Sequence, residues 1–203
     1  MDKAIALLSG GIDSPVAIKI MQDKVEIIAV HFHQKPLTDE KEIEKVKELA
    51  KTLNLKKIYL IPFVDILKML VDVCNHRNFF ILSKIVMFKT AELVAMEEGA
   101  KHLITGENLA QVSSQTLSNL TTITKNLNLE ILRPLLTFDK QEIINLAKKY
   151  NTYDISKGPE ICNLLGPKHP ATRSDLEIIS KELEKIDLSL LNESLNKAEI
   201  IQG

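Results

Sequence analysis

Residues 4–14, AIALLSGGIDS, decide the fold of this chain. An apolar run ends in a serine and two glycines, and an Asp-Ser pair follows where a helix begins. The run at 4–8 is typical of a strand buried on both faces of a parallel sheet. Gly10 and Gly11 allow the backbone to turn tightly and to approach a ligand closely. We therefore predict a strand, a ligand-binding turn and the first turn of a helix that runs to about Met21.

The rest of the chain alternates between strand-like and helix-like segments. Apolar runs predict four further strands at 25–32, 57–61, 102–105 and 130–132. Between them, apolar residues recur at helical spacing, most clearly from 43 to 53 and from 79 to 98. Strands that alternate with helices favour a parallel sheet covered on both sides. The predicted fold class is α/β: a three-layer, Rossmann-like parallel sheet with helices on both faces.

Local patterns predict where helices begin. Asn78 is expected to cap the helix at 79–98, which Gly99 ends. Three segments have the spacing of a capping box, in which two residues three apart bond each other's backbone N–H groups. They are Asp39-x-x-Glu42, Asp139-x-x-Glu142 and Ser174-x-x-Glu177.

Length and composition limit the classes of protein. The 203 residues suffice for one well-buried domain, and the formal net charge of −1 gives the whole chain no general attraction for nucleic acid. No apolar run approaches the length of a membrane span, and the first residues lack the basic region of a signal peptide. Two cysteines are too few for a disulfide scaffold. We expect a cytoplasmic protein without a membrane partner.

The turn after the first strand has the features of an anion-binding site. Successive backbone N–H groups and a helix N-terminus attract phosphates, and Ser14 adds a hydroxyl. Asp13 either caps the helix or holds a magnesium ion against bound phosphates. A plain strand-to-helix turn is the alternative for the glycines alone. The segment is neither a Walker A loop nor a G-x-G-x-x-G fingerprint.

SGGIDS resembles the Ser-Gly-Gly-x-Asp-Ser signature of the PP-loop (N-type) ATP pyrophosphatases. Six segments, from about residue 4 to 173, resemble in order the catalytic domain of the tRNA 4-thiouridine synthetases (tRNA sulfurtransferases). They are SGGIDSPVA, VHFHQKP, GENLAQVSSQTLSNL, ILRPLLTFDKQEII, NTYDIS and GPKHPATR. The resemblance implies an adenine nucleotide alpha hydrolase-like fold and a PP-loop ATPase domain at 1–173. Residues 174–203, apolar at helical spacing, are predicted as a helical extension packed on that domain or at a dimer face.

The resemblance also implies a reaction. Such enzymes cut ATP between the α and β phosphates, adenylate a uridine carbonyl and release pyrophosphate, and a sulfur nucleophile then expels AMP. ATP and Mg²⁺ are the implied cofactors, and no side chains are predicted to form a separate metal site.

Site residues are carried over from the resemblance position by position. Asp13 and Cys162 are the implied catalytic residues. Lys84 is implied to meet the ATP phosphates, although a lone helical lysine is usually solvated. Arg133, which follows the fifth predicted strand, is predicted either to bind phosphate or to cap the sheet edge. The implied nucleotide contacts are Leu7, Leu8, Ser9, Gly10, Gly11, Asp13, Ser14, His31, Phe32, Lys84, Gly106 and Gln115; alone, Phe32 reads as core and Gln115 as part of a helix cap.

Cys162 lies in a loop rich in glycine and proline. Nearby Lys157, Lys168 and His169 could lower the pKa of its thiol, whereas on its own it reads as a small buried hydrophobe. The resemblance implies a sulfur-accepting or resolving cysteine here. Cys74 is predicted as core, and the cysteine pair that some archaeal-type members carry is absent, which argues against an iron–sulfur cluster.

The implied partners are tRNA and a sulfur donor, either a persulfide protein or sulfide. The resemblance covers one domain only, so a separate THUMP-type or other basic subunit is expected to dock the tRNA. A homodimer is a further alternative. The acceptor stays open between 4-thiouridine and 2-thiolated nucleosides, and a non-catalytic ATP-binding regulatory subunit is the remaining reading. Basic residues expected near the site are Lys84, Lys89, Arg133, Lys157, Lys168 and Arg173.

Overall fold

A computed structural model describes residues 1–109, 115–158 and 165–203. Within them the strands are β1 (Lys3–Leu7), β2 (Glu26–His33), β3 (Lys57–Pro62), β4 (His102–Ile104), β5 (Glu130–Leu132) and β6 (Glu199–Gln202). They form one sheet in the order β5–β4–β1–β2–β3–β6. The first five strands are parallel, and β6 runs antiparallel to β3 at one edge. The carboxyl ends of the five parallel strands therefore meet at one edge of the sheet.

Helices cover both faces of this sheet. They are α1 (Asp13–Met21), α2 (Glu40–Thr52), α3 (Val64–Val73), α4 (Phe79–Glu98), α5 (Leu117–Thr124), α6 (Lys140–Lys149), α7 (Tyr153–Ser156), α8 (Leu176–Leu183) and α9 (Ser189–Asn196). Side chains alternate along β1, so Ile5 packs with α3, α4 and α9, whereas Ala4 and Ala6 pack with α1, α2 and α6. The predicted three-layer arrangement is confirmed.

One of the three predicted capping boxes is present. Asp139 and Glu142 bond each other's backbone N–H groups at the start of α6, as predicted. Asp39 caps α2 but accepts from Lys41 N, and Glu42 does not close the box, so that prediction was wrong. At α8 the cap is Asp175, because the hydroxyl of Ser174 bonds Thr122 Oγ1 on α5 instead.

The entry to α4 also differs from the prediction. Asn78 precedes α4 but makes no side-chain cap bond, because it closes a short 3-10 helix, His76–Asn78, that Asn75 caps. Gly99 ends α4 in the left-handed conformation, as predicted. Helix α3 was not predicted from the sequence.

Residues 174–203 hold two helices and a strand. Ile179 of α8 and Leu191 and Leu195 of α9 join the apolar cluster around α4. Strand β6, which sequence reasoning missed, pairs with β3. The domain boundary at residue 173 stays a prediction. Across the three described ranges, no helix is both long and apolar enough to cross a bilayer.

Candidate active site

The loop between β1 and α1 is closed by its own serines. Ser9 N donates to Ser14 Oγ at 2.9 Å, the two hydroxyl oxygens lie 3.0 Å apart, and Gly11 N donates to Ser9 Oγ at 3.2 Å. Ser14 is buried and Ser9 is exposed. The predicted turn at the carboxyl end of the first strand is therefore formed, with Ser9, Gly10, Gly11 and Ser14 in one compact loop.

Helix α1 begins without a side-chain cap. Ile12 occupies the cap position and makes no cap bond, so the alternative in which Asp13 caps the helix was wrong. Uncapped first-turn N–H groups and the helix dipole together favour an anion. Asp13 is the first helical residue, and its carboxylate accepts from Lys140 Nζ at 2.7 Å. Lys140, which sequence reasoning missed, places a cation from α6 beside the loop.

Gly106 lets the end of β4 lie against the first turn of α1. A Cβ at this position would stand 2.7 Å from Ser14 N and 2.9 Å from the carbonyl carbon of Asp13. Both are backbone atoms, which cannot rotate away. The close approach that the sequence suggested for Gly106 is thus made to the start of α1, next to the loop between β1 and α1. Gly10 is less confined, since a Cβ there would meet Lys45 Cδ at 3.2 Å.

His31 joins the ends of β1 and β2. Its Nδ1 lies 2.9 Å from Leu8 O, and its Nε2 is buried with no hydrogen-bond partner among the described residues. Burial lowers the pKa of His31 to about 4, although the bond to Leu8 opposes this shift. The ring is therefore neutral near pH 7, and its bond to a carbonyl oxygen assigns the proton to Nδ1. Nε2 is then a buried acceptor.

The side chains of Phe32 and Gln115 both contact other residues of the protein. Phe32 is half-buried, and its ring centroid lies 4.6 Å from that of Phe63. Gln115 Oε1 accepts from Asn108 N at 3.1 Å, which ties Gln115 to the segment after β4. Thr116, the next residue, caps α5.

Lys84 and Arg133 meet at a buried carboxylate. Glu107, 4% exposed, accepts from Lys84 Nζ at 2.6 Å and from Arg133 Nε at 2.8 Å. Burial acts to raise the pKa of Glu107, but the charges of Lys84 and Arg133 outweigh it and hold that pKa below its usual value. Two cations thus share one carboxylate at the same edge as the loop. Sequence reasoning named both cations but missed Glu107.

Cys162 and its neighbours at 159–164 lie outside the described residues, so its role stays a prediction. Burial raises the pKa of the Cys74 thiol to about 11, so it is protonated at neutral pH. This environment agrees with the prediction of a core role for Cys74. In the described part of the chain, no three His, Cys, Asp or Glu residues are grouped so that they could hold a metal ion.

The arrangement suits an anionic ligand with an apolar, hydrogen-bonding portion. The uncapped start of α1, Lys140, Lys84 and Arg133 provide positive charge at the carboxyl edge. His31 provides a neutral acceptor one strand away. Open α/β sheets bind ligands at this edge, next to the point where the strand order reverses. Here β1 is that point, since β2 and β4 flank it.

Known proteins resemble this chain over nearly its full length. The family model described as thiamine biosynthesis protein (ThiI) matches residues 1–188. The chain is 41% identical over 192 residues to a probable tRNA sulfurtransferase of Caldanaerobacter subterraneus subsp. tengcongensis, covering 91% of this chain and 50% of that protein. It is 38% identical to one of Halothermothrix orenii, covering 98% of this chain and 53% of that protein. The chain thus spans about half the length of these relatives.

A solved structure agrees with the sequence relatives. The crystal structure of a 4-thiouridine synthetase–RNA complex with bound ATP superimposes with a TM-score of 0.93 at 36% identity, covering 98% of this chain and 55% of the other. An NH3-dependent NAD synthetase from Campylobacter jejuni, at 17% identity and a TM-score of 0.58, shares the fold alone. Because the family model matches residues 1–188 and the chain has the α/β fold of the PP-loop enzymes, this chain belongs to the ThiI family.

Proposed function

We propose that this chain is the ATP-activating unit of a tRNA sulfurtransferase that makes 4-thiouridine. The observation that carries the proposal is the loop closed by Ser9 and Ser14, packed against Gly106 at the uncapped start of α1. Such a loop receives phosphates on backbone N–H groups. The relatives named tRNA sulfurtransferase, and the synthetase with RNA and ATP, supply the reaction class.

The loop binds the pyrophosphate portion of ATP as substrate. Mg²⁺ fits beside it, because a site with one carboxylate, Asp13, suits an ion held mainly by the substrate's phosphate oxygens. When bound, that ion neutralises phosphate charge. Lys140, now paired with Asp13, is half-exposed and free to follow either the carboxylate or a phosphate.

His31 supports ATP over GTP. In its neutral form Nε2 accepts a hydrogen bond, and adenine presents an exocyclic amino donor where guanine presents a carbonyl acceptor. A carbonyl facing Nε2 would leave two acceptors opposed and buried, which costs about 1–3 kcal/mol. Leu7, Leu8 and Phe32 complete the proposed adenosine pocket at the same strand ends.

The acceptor is a tRNA uridine, whose carbonyl oxygen takes AMP and becomes a good leaving group. Cys162 is proposed either to take the outer sulfur of a persulfide protein, whose thiol then leaves, and to attack with it, or to resolve the disulfide that forms when the donor persulfide itself attacks. Sulfide would instead attack directly and expel AMP without a persulfide on Cys162. The surface near α4 supports an RNA partner: the segment 165–171 is held to the 3-10 helix by His76 Nε2 on Leu165 O and by Ala171 N on Arg77 O. Arg77 and Lys168, which lie on the two segments that these bonds join, are both exposed and can meet phosphates. A THUMP-type or other basic unit is proposed to add tRNA affinity.

Asp13→Asn is expected to weaken Mg²⁺-ATP binding at least tenfold, about 1.4 kcal/mol. The variant removes the carboxylate that faces the metal-bound phosphates but keeps the shape of the side chain. Calorimetric titration with ATP in the presence and absence of Mg²⁺ measures the effect, and the loss should be confined to the Mg²⁺ series.

Asp154→Asn is the matched control. Asp154 also pairs with a lysine at 2.7 Å, Lys157, and its side chain is 83% exposed on helix α7. Its variant should bind Mg²⁺-ATP as the wild-type chain does. Equal binding by wild type and Asp13→Asn would refute a role for the loop in holding Mg²⁺-ATP.

A further inference from the structure

Among the charged side chains described outside the loop, the buried carboxylate of Glu107 accepts hydrogen bonds from the most side chains. Besides Lys84 and Arg133, it accepts from Thr105 Oγ1 at 3.2 Å. Its side chain is 5% exposed, against 23% for Lys84 and 17% for Arg133. A carboxylate this buried is costly unless it is paired and hydrogen-bonded, and all three partners serve that end.

The cluster of Glu107, Lys84 and Arg133 nevertheless has more positive charge and more hydrogen-bond donors than Glu107 alone can pair. One carboxylate faces two cations, so the three side chains carry a net positive charge at neutral pH. Arg133 engages Glu107 through Nε, while its Nη2 is buried with no hydrogen-bond partner among the described residues. A buried guanidinium donor without an acceptor is costly, and an anionic oxygen is the acceptor that suits it best.

The position of Glu107 links this cluster to the nucleotide loop. Gly106, its neighbour in the chain, lies in contact distance of Ser14 N and Asp13. Glu107 therefore holds a lysine from α4 and an arginine that follows β5, and it is next in the chain to the residue that packs on the start of α1. Without Glu107, two cations would repel each other in this half-buried site.

We propose that Glu107 is a positioning residue for nucleotide activation. It fixes Lys84 and Arg133 so that their remaining N–H groups, above all Arg133 Nη2, donate to an anionic oxygen of the reacting nucleotide. This inference rests on the proposed function. Glu107 does not touch the reacting atoms; it acts through the two cations. Its removal should therefore slow tRNA adenylation, measured as release of pyrophosphate, more than it weakens ATP binding.

Glu98 provides a matched control for burial and charge. Its side chain is 13% exposed, and it pairs with Lys57 at 2.6 Å and with the hydroxyl of Tyr59. Lys57 begins β3, and Glu98 also borders Lys3 at the start of β1, so this cluster lies at the amino edge of the sheet. Glu98→Gln breaks a similar ionic cluster far from the nucleotide loop.

The experiment compares wild type, Glu107→Gln and Glu98→Gln in the presence of unmodified tRNA, ATP and Mg²⁺. With tRNA at a saturating concentration and sulfide present as the nucleophile that expels AMP, steady-state rates of pyrophosphate release give kcat and KM for ATP, and thermal unfolding gives Tm for each variant. We expect Glu107→Gln to lower kcat at least tenfold with KM changed less than threefold. Glu98→Gln should lower Tm comparably and leave kcat within twofold of wild type.

Arg133→Lys keeps the charge but removes Nη2, and it covers the case in which Glu107→Gln fails to fold. It should reproduce the loss of kcat. Wild-type kcat in Glu107→Gln or in Arg133→Lys, or equal losses in Glu107→Gln and Glu98→Gln, would overturn the inference while the wild-type reaction stands. Absence of pyrophosphate release from the wild-type reaction would instead refute the proposed function and this inference with it.

Discussion

Gly106→Ala should weaken Mg²⁺-ATP binding at least tenfold, or by about 1.4 kcal/mol. The added Cβ would stand 2.7 Å from Ser14 N, and real Cβ atoms do not approach backbone that closely. Either the segment after β4 or the first turn of α1 must move. Both movements displace the loop from the residues at the ends of the neighbouring strands. Calorimetric titration with Mg²⁺-ATP measures the loss.

Gly99→Ala is the control for this change. Gly99 ends α4 with φ +68°, and a Cβ there meets nothing within 4 Å. The alanine should cost about 1 kcal/mol of stability through backbone strain and leave ATP binding unchanged. If Gly106→Ala binds ATP as tightly as Gly99→Ala, the close packing of β4 on α1 has no part in the nucleotide site.

Cys162→Ser should abolish sulfur transfer while ATP binding and the tRNA-dependent release of pyrophosphate in the first turnover continue. A serine hydroxyl cannot carry or resolve a persulfide, but adenylation of the uridine precedes that step. The reaction should lose at least 99% of its thiouridine, as determined by nucleoside mass spectrometry of the tRNA product.

Cys74→Ser supplies the comparison, because burial raises the pKa of that thiol to about 11 and it packs with the core around α4. Its variant should thiolate normally after correction for stability. Full thiolation by Cys162→Ser would exclude a protein persulfide at this position and favour direct attack by sulfide.

The sequence predicted those parts of the fold that rest on local patterns. The apolar run before Ser9, the glycines after it and the boundary at Gly99 each have a single strong conformational preference, and the structure has all three. The parallel order of the strands follows from their alternation with helices. Ser14 could be named in advance from its place after the first strand, whereas His31 and Gly106 were named through the family resemblance.

Side-chain partners could not be predicted in the same way. The pairs Lys140–Asp13 and Lys84–Glu107 join residues 127 and 23 positions apart, and only the packing of helices on the sheet brings them together. The cap of α8 was misplaced by one residue because Ser174 is drawn to Thr122 on another helix. Strand β6 was missed because its pairing with β3 depends on a tail whose sequence reads as helical.

The position at which ATP is cleaved tests the central claim most directly. Wild-type chain is incubated with Mg²⁺, ATP and tRNA that lacks thiouridine, and the products are separated and quantified. A loop that holds pyrophosphate while AMP moves to a tRNA carbonyl predicts pyrophosphate and an equal amount of AMP, which stays on the tRNA until a sulfur nucleophile expels it, and both form only when tRNA is present. Release of ADP and orthophosphate, or no tRNA-dependent pyrophosphate at a saturating concentration of tRNA, would contradict the account.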